Sequence, residues 1–178
     1  HYRTKAGWVQ AVDGVSFALK RGQSLGLVGE SGCGKTSVAM SIMRLLPYNA
    51  EIRHGRITLG GRDVYAMTSE EFRQARWKEI SMIFQAAMNA LNPVYTVGSQ
   101  IVEAIVEHEP ETTEEQARRR VAELFDLVGI PADRADHYPH EYSGGMKQRA
   151  VIAMALACNP SLIIADEPTT ALDVIVQD

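Results

Sequence analysis

The sequence predicts an α/β fold built around a phosphate-binding loop, and three observations predict it. Gly29-Glu30-Ser31-Gly32-Cys33-Gly34-Lys35-Thr36 fits G-x-x-x-x-G-K-[ST] between an apolar run and a helical pattern. Late in the chain, Ser161-Leu162-Ile163-Ile164-Ala165 reads as an apolar strand that ends in Asp166 and Glu167. Between them, the texture turns helical from about Ala86 onward.

The loop needs these residue types for physical reasons. Gly29, Gly32 and Gly34 let the backbone curl and aim its N–H groups at phosphate oxygens. The helix that follows adds its positive end. Lys35 supplies a point charge for the β- and γ-phosphates, and the Thr36 hydroxyl can ligate Mg²⁺. Gln23–Val28 reads as the strand before the loop, and Ser37–Leu46 as the helix after it, stopped by Pro47. The pattern is that of a nucleoside triphosphate site, with Ser37 at the base of the loop.

The bulk numbers exclude other classes. The chain has 178 residues, 18 basic and 22 acidic, and a formal net charge of −4. A nucleic-acid footprint would carry a basic excess, so none is expected. The apolar share of 46% is ordinary for a globular domain. No run approaches the roughly 18 apolar residues of a membrane span. Cys33 and Cys158 stand far apart and outside any C-x-x-C, which points to neither a disulfide framework nor zinc. Cys33 lies at a helix start, where a thiol can be acidified, but a small residue that fits the loop explains it more simply. The five histidines show no metal-ligand spacing.

Taken in order, Val9–Lys20 reads as two strands about an Asp13-Gly14 turn, and Arg21-Gly22 as a second turn. Tyr2 and Trp8 could each stack on a nucleobase or simply pack. Ile52–Val64 reads as two short strands about Gly60-Gly61, and Thr68-Ser69-Glu70-Glu71 as a capping box opening a helix through Trp77. Ile80–Phe84 reads as a buried strand ending at Gln85, a place where ligand contacts sit in open α/β sheets, or an ordinary strand-to-loop residue.

Val97–Glu109 predicts a helix with Ile101, Val102, Ile105 and Val106 on one face. Thr112-Thr113-Glu114-Glu115 predicts a capping box for a helix to Val128, stopped by Gly129. On it, Arg118-Arg119-Arg120 stands among glutamates as a solvated face. Ser143-Gly144-Gly145 before a helix through Ala157 is either a second anion site or a capped helix. Asp166 at a strand end can hold Mg²⁺, and Glu167 can orient or deprotonate water. Two carboxylates at a buried strand end are costly without a cation or a reaction to serve.

Together these motifs resemble the ATPase subunits of ABC transporters. The residues that carry the likeness are Gly29 to Thr36 (Walker A), Gln85 (Q-loop), Tyr142-Ser143-Gly144-Gly145-Met146 (signature), Leu162 to Glu167 (Walker B) and Thr170-Ala171-Leu172-Asp173 (D-loop). Tyr142 and Met146 depart from the commonest signature, Leu-Ser-Gly-Gly-Gln. Within the family, Ala11–Phe17, Ala90–Gly98 and Gly144–Arg149 with Ala155–Pro160 are similar to oligopeptide/dipeptide importers, a group that includes nickel importers. Ala86-Ala87 stands where this group often has Asp-Pro.

The resemblance implies a P-loop NTPase core with N-terminal antiparallel strands and an inserted α-helical subdomain. It implies core over residues 1–85, a helical subdomain over 86–142, and signature helix, Walker B strand and D-loop over 143–178. It implies ATP and Mg²⁺ as ligands, held by Lys35 and the loop amides, with Thr36, Gln85 and Asp166 at the metal and Glu167 as general base. Ser143, Gly144 and Gly145 would touch the γ-phosphate on a second ATPase subunit, identical or related, with Asp173 across that interface. Tyr2 would be the base-stacking aromatic, with Trp8 the alternative. Permease subunits would be met by Gln85 and the helical lobe at the cytoplasmic face of the membrane, with an external solute-binding protein acting indirectly.

The family's switch histidine follows Walker B, and this sequence carries no histidine after Glu167. A fragment is therefore expected, with part of the core missing and poor ATP hydrolysis on its own. Competing functions are a non-transport clamp on DNA or ribosomes, disfavoured by the acidic charge, and a nucleotide switch without turnover, disfavoured by Glu167. A metabolic kinase would leave Ser143-Gly144-Gly145 unexplained.

Overall fold

The computed structural model describes residues 1–84 and 90–168. Two compact units divide the chain, His1–Phe72 and Arg73–Asp178.

In the first unit, β1 (Tyr2–Thr4) and β2 (Gly7–Val9) form an antiparallel hairpin in which Tyr2 faces Val9. The phosphate loop leads into α1 (Lys35–Ile42). Next come β3 (Thr58–Leu59) and β4 (Arg62–Asp63), antiparallel across Gly60 and Gly61. Both glycines have positive φ, 56° and 80°, as a tight hairpin turn of this type requires.

Helix α1 ends several residues short of Pro47 because Arg44 turns left-handed, φ 53°. That turn sends the Arg44 guanidinium to the carbonyls of Met67 (3.0 Å) and Val64 (3.4 Å) and over the Phe72 ring at 5.1 Å. Met43, Val64, Met67 and Phe72 are buried in this unit.

The two strands expected over Val9–Lys20 and the one over Gln23–Val28 do not form beyond Val9. A strand is a pairing rather than a local state, and no ladder among the described residues reaches this stretch. What remains is local: Gln23 N–H donates to Lys20 O at 3.1 Å, and Gly14 and Gly22 take positive φ at the two expected turns. Leu25, Leu27 and Val28 are exposed.

Helix α2 (Ser69–Lys78) spans the boundary between the units. Its capping box forms as expected: Thr68 N–H donates to the Glu71 carboxylate (2.7 Å), and Glu71 N–H to Thr68 Oγ1 (3.2 Å). It kinks at Arg76 and Trp77, where Trp77 has φ 70°.

In the second unit, β5 (Ile80–Ile83) and β6 (Leu162–Ala165) pair in parallel, Ile80 with Leu162 through Ile83 with Ala165. Helices α3 (Val97–His108), α4 (Glu114–Leu127) and α5 (Gly144–Ala155) complete it. Ile101, Ile105, Val121, Leu124 and Phe125 lock α3 and α4 into one core with Ala150 and Ala153 of α5.

The apolar spacing of α3 held except at Val106, which is 39% exposed. The cap of α4 is one residue later than expected. Thr113 accepts from Gln116 N–H at 3.3 Å and Gln116 returns the bond at 2.8 Å, so Gln, not Glu, closes the box. The three arginines pair with Glu114, Glu115 and Glu123, a solvated face as expected. Strand β6 alternates half-buried and exposed instead of being buried throughout, so one of its two faces is the better covered. Among the described residues no helix is long and apolar enough to cross a membrane.

Candidate functional site

The phosphate loop is built as its sequence demands. Gly34 caps α1 with φ 101° and ψ 4°, and a Cβ there would lie 2.4 Å from Ala11 O. Only glycine fits both the conformation and the space. Gly32 also has positive φ, 80°. At Gly29 a Cβ would meet the Cys33 sulfur at 2.6 Å.

Lys35 folds back into the loop. Its Nζ donates to Gly29 O at 2.7 Å and Glu30 O at 2.8 Å, and lies 3.8 Å from Cys33 Sγ. The ammonium therefore sits among the loop's own carbonyls, at the first turn of α1, where the helix end is also positive. Glu30, Ser31, Gly32, Cys33 and Thr36 are exposed to solvent.

The two candidate aromatics, Tyr2 and Trp8, differ in their contacts. Tyr2 Oη lies 3.0 Å from Ser37 Oγ, so β1 is tied to the first turn of α1. Trp8 instead carries the Arg53 guanidinium 4.5 Å above its ring.

In the second unit, Ser143 is the N-cap of α5 and accepts from Met146 N–H at 3.3 Å. A hydroxyl that accepts there still has a hydrogen to donate. Gly144 and Gly145 are the first residues of α5. Tyr142 is a buried anchor just before them: its hydroxyl donates to Arg134 O at 2.5 Å, and burial pushes its pKa up to about 12. Asp166 N–H donates to Ile83 O at 2.9 Å, so the parallel ladder continues to the first carboxylate. Asp166 is half-buried and Glu167 exposed, and Glu167 has φ 51°. The expectation of a buried carboxylate pair thus fails at Glu167, where β6 has already left the ladder. Gln85 and Asp173 lie outside the described residues, as do Ala86-Ala87 and the D-loop.

Sequence reasoning passed over Gln148. It is 2% exposed, and its Nε2 donates to Pro168 O at 2.6 Å, directly after Glu167. The signal was present: Gln148, Val151 and Ala155 fall on one buried stripe of α5, with a polar residue where an apolar one belongs. Arg149 likewise ties α5 to Gly129 O at 3.0 Å.

Comparison with protein families matches the ABC transporter model over residues 12–170. The chain belongs to the ABC transporter family. It is 51% identical over 99% of its length to the dipeptide transport ATP-binding protein DppD of Bacillus subtilis (strain 168), covering 53% of that protein. It is 49% identical, again over 99% of its length, to the oligopeptide transport ATP-binding protein OppD of the same organism, covering 50% of it. The chain thus spans about half the length of the curated relatives it matches.

Among solved structures, the dimeric bacterial ABC transporter cassette MJ0796 superposes with a TM-score of 0.86 at 28% identity, covering 98% of this chain and 73% of that one. A dimeric post-hydrolysis state of the ATP-binding cassette MJ0796, bound to ADP and Pi, superposes at 0.80 and 29% identity, covering 93% of this chain and 69% of that one. The α/β cassette fold expected for this ABC transporter chain is therefore the fold it has. The family also accounts for the glycine loop and the signature turn lying in one short chain.

Proposed function

We propose that this chain is the ATP-binding part of an importer subunit that couples ATP binding and hydrolysis to uptake of di- or oligopeptides through a membrane permease. The observation that carries the reading is the likeness, over 99% of the chain, to relatives named for dipeptide and oligopeptide transport. The loop geometry supports the ATP part. Lys35 already gathers acceptor oxygens at the loop mouth and would exchange those carbonyls for the β- and γ-phosphate oxygens of ATP. Loop amides from Gly29 to Thr36, with Ser37 behind them, would line the phosphates. Tyr2 is the better placed aromatic for the base, because it is the one tied to α1.

Hydrolysis needs a water to attack the γ-phosphorus as the bond to the β-phosphate oxygen breaks. Glu167 would take the proton that water loses, leaving ADP and phosphate. Thr36 and Asp166 are the proposed Mg²⁺ contacts, each a hard-oxygen donor of the kind that ion takes. When bound it would neutralise phosphate charge; Gln85 is its third proposed contact. Ser143, Gly144 and Gly145 would meet the γ-phosphate of a second ATPase subunit, with Asp173 across the same interface. Residues 86–142 would form the lobe that meets the permease at the cytoplasmic face of the membrane, with residues 1–85 and 143–178 as core.

The test is to tag the full-length protein, extract it gently from its own membranes and identify what co-purifies. Recovery with polytopic membrane proteins, and with peptide binding by their external binding protein, is the expected result. Recovery with DNA or ribosomes and no membrane partner would contradict it. Nickel binding without peptide binding would contradict the peptide assignment alone.

A further inference from the structure

Gln148 is one of two buried polar side chains among the described residues, the other being Ser81. A primary amide is costly in an apolar core unless its groups are paired. Gln148 Nε2 finds Pro168 O at 2.6 Å, twenty residues away in sequence. A proline has no backbone N–H, so the carbonyl is the only backbone hydrogen-bonding group Pro168 offers.

The residue before that proline is Glu167, with φ 51°. A side chain in this left-handed region is strained, and it persists where its surroundings hold it there. Upstream, Asp166 N–H is fixed to Ile83 O. Downstream, Gln148 holds Pro168 O. Glu167 therefore stands between two fixed backbone points, one on the sheet and one on α5.

We propose that Gln148 is a positioning residue for hydrolysis: by holding Pro168 it keeps the Glu167 backbone left-handed and its carboxylate aimed for water activation. This rests on the reading of Glu167 as general base. Gln148 and the capping Ser143 lie on the same helix, about 7.5 Å apart along its axis, so the clamp also links the signature turn to the base.

The experiment uses the full-length ATPase in its assembled transporter. Gln148→Met, Glu167→Gln and the double variant are compared for kcat, KM for ATP, ATP binding and thermal stability. The expected result for Gln148→Met is a fall in kcat of about ten- to hundredfold, because a misaimed base costs on that order, with KM and ATP binding held within about twofold. Added to Glu167→Gln, it should lower the residual turnover no further. Should the Met variant fail to fold, Gln148→Asn keeps an amide one methylene short of Pro168 and is read in the same way. Unchanged kcat would overturn the inference, and so would a loss shared with KM or an added loss on top of Glu167→Gln. Full turnover in Glu167→Gln would overturn the base reading and this inference with it. Lost turnover there with normal Gln148→Met would overturn the clamp alone.

Discussion

Replacing Tyr142 by Phe removes one oxygen atom and tests what holds the signature turn in place. The ring stays in its site, since Tyr142 is 5% exposed and packs with the core of α3, α4 and α5. The Arg134 carbonyl, however, loses a donor at 2.5 Å. That carbonyl keeps the His137 N–H at 3.0 Å, so what is lost is one net hydrogen bond, about 0.5–1.5 kcal/mol, and a loss of about 1 kcal/mol is expected. For a domain of this size that lowers the melting temperature by about 2–4 °C.

The pH dependence gives an independent check. Burial raises the Tyr142 pKa to about 12, with Arg134 lowering it in part. A raised pKa means the stabilisation is fully present below the ordinary tyrosine value of about 10 and is lost as pH rises through the folded value. The gap between Tyr and Phe proteins should therefore narrow from about pH 10 to 12. Urea unfolding followed by circular dichroism, at neutral and alkaline pH, measures both effects. A difference below about 0.5 kcal/mol at neutral pH would refute the reasoning, as would a gap that does not narrow.

Three further predictions follow from named contacts. Gly34→Ala forces a methyl to 2.4 Å from Ala11 O at φ 101°, so ATP affinity should fall at least tenfold, on the order of the 1–3 kcal/mol such strain costs; fluorescent-nucleotide titration reads it, and unchanged affinity would count against the loop geometry. His108 stacks on Trp77, with ring centroids 5.9 Å apart, and burial lowers its pKa, against a raising effect of Glu107 and with help from Arg73 and Lys78. Its stabilisation is present above about pH 6.5 and lost as pH falls through the depressed value, so His108→Gln should flatten that acid limb in melts run from pH 7 to 5. Cys158 is buried, with its pKa pushed up to about 11, so thiol reagents at neutral pH should label the exposed Cys33 first, and ATP should slow that labelling; equal labelling of both would argue against the packing of α3 and α5.

Features set by neighbours in sequence were readable in advance. The glycine loop, the Thr68–Glu71 cap of α2 and the Gly60-Gly61 hairpin depend on contacts only a few residues apart, and the α4 cap was legible to within one residue. Features set by distant pairing were legible only in part: the apolar runs that became β5 and β6 read as strands, but others did not form. Gln23–Val28 has the composition of a strand, yet strand formation depends on a ladder partner that no local pattern specifies. The stop of α1 at Met43, ahead of Pro47, depends on Arg44 reaching Met67, twenty-three residues on. Gln148 looked like one more polar helix residue until its contact with Pro168 was visible. Tyr142 looked like a departure from the signature, and the structure gives the departure a use, because the phenol reaches Arg134 where a leucine has no donor to offer.

The most direct test of the central claim is ATP binding and turnover by the full-length protein, with Lys35→Ala and Glu167→Gln alongside. Lys35→Ala should lose ATP binding, and Glu167→Gln should keep binding while losing turnover. Binding indifferent to Lys35, or turnover that survives Glu167→Gln, would contradict the account.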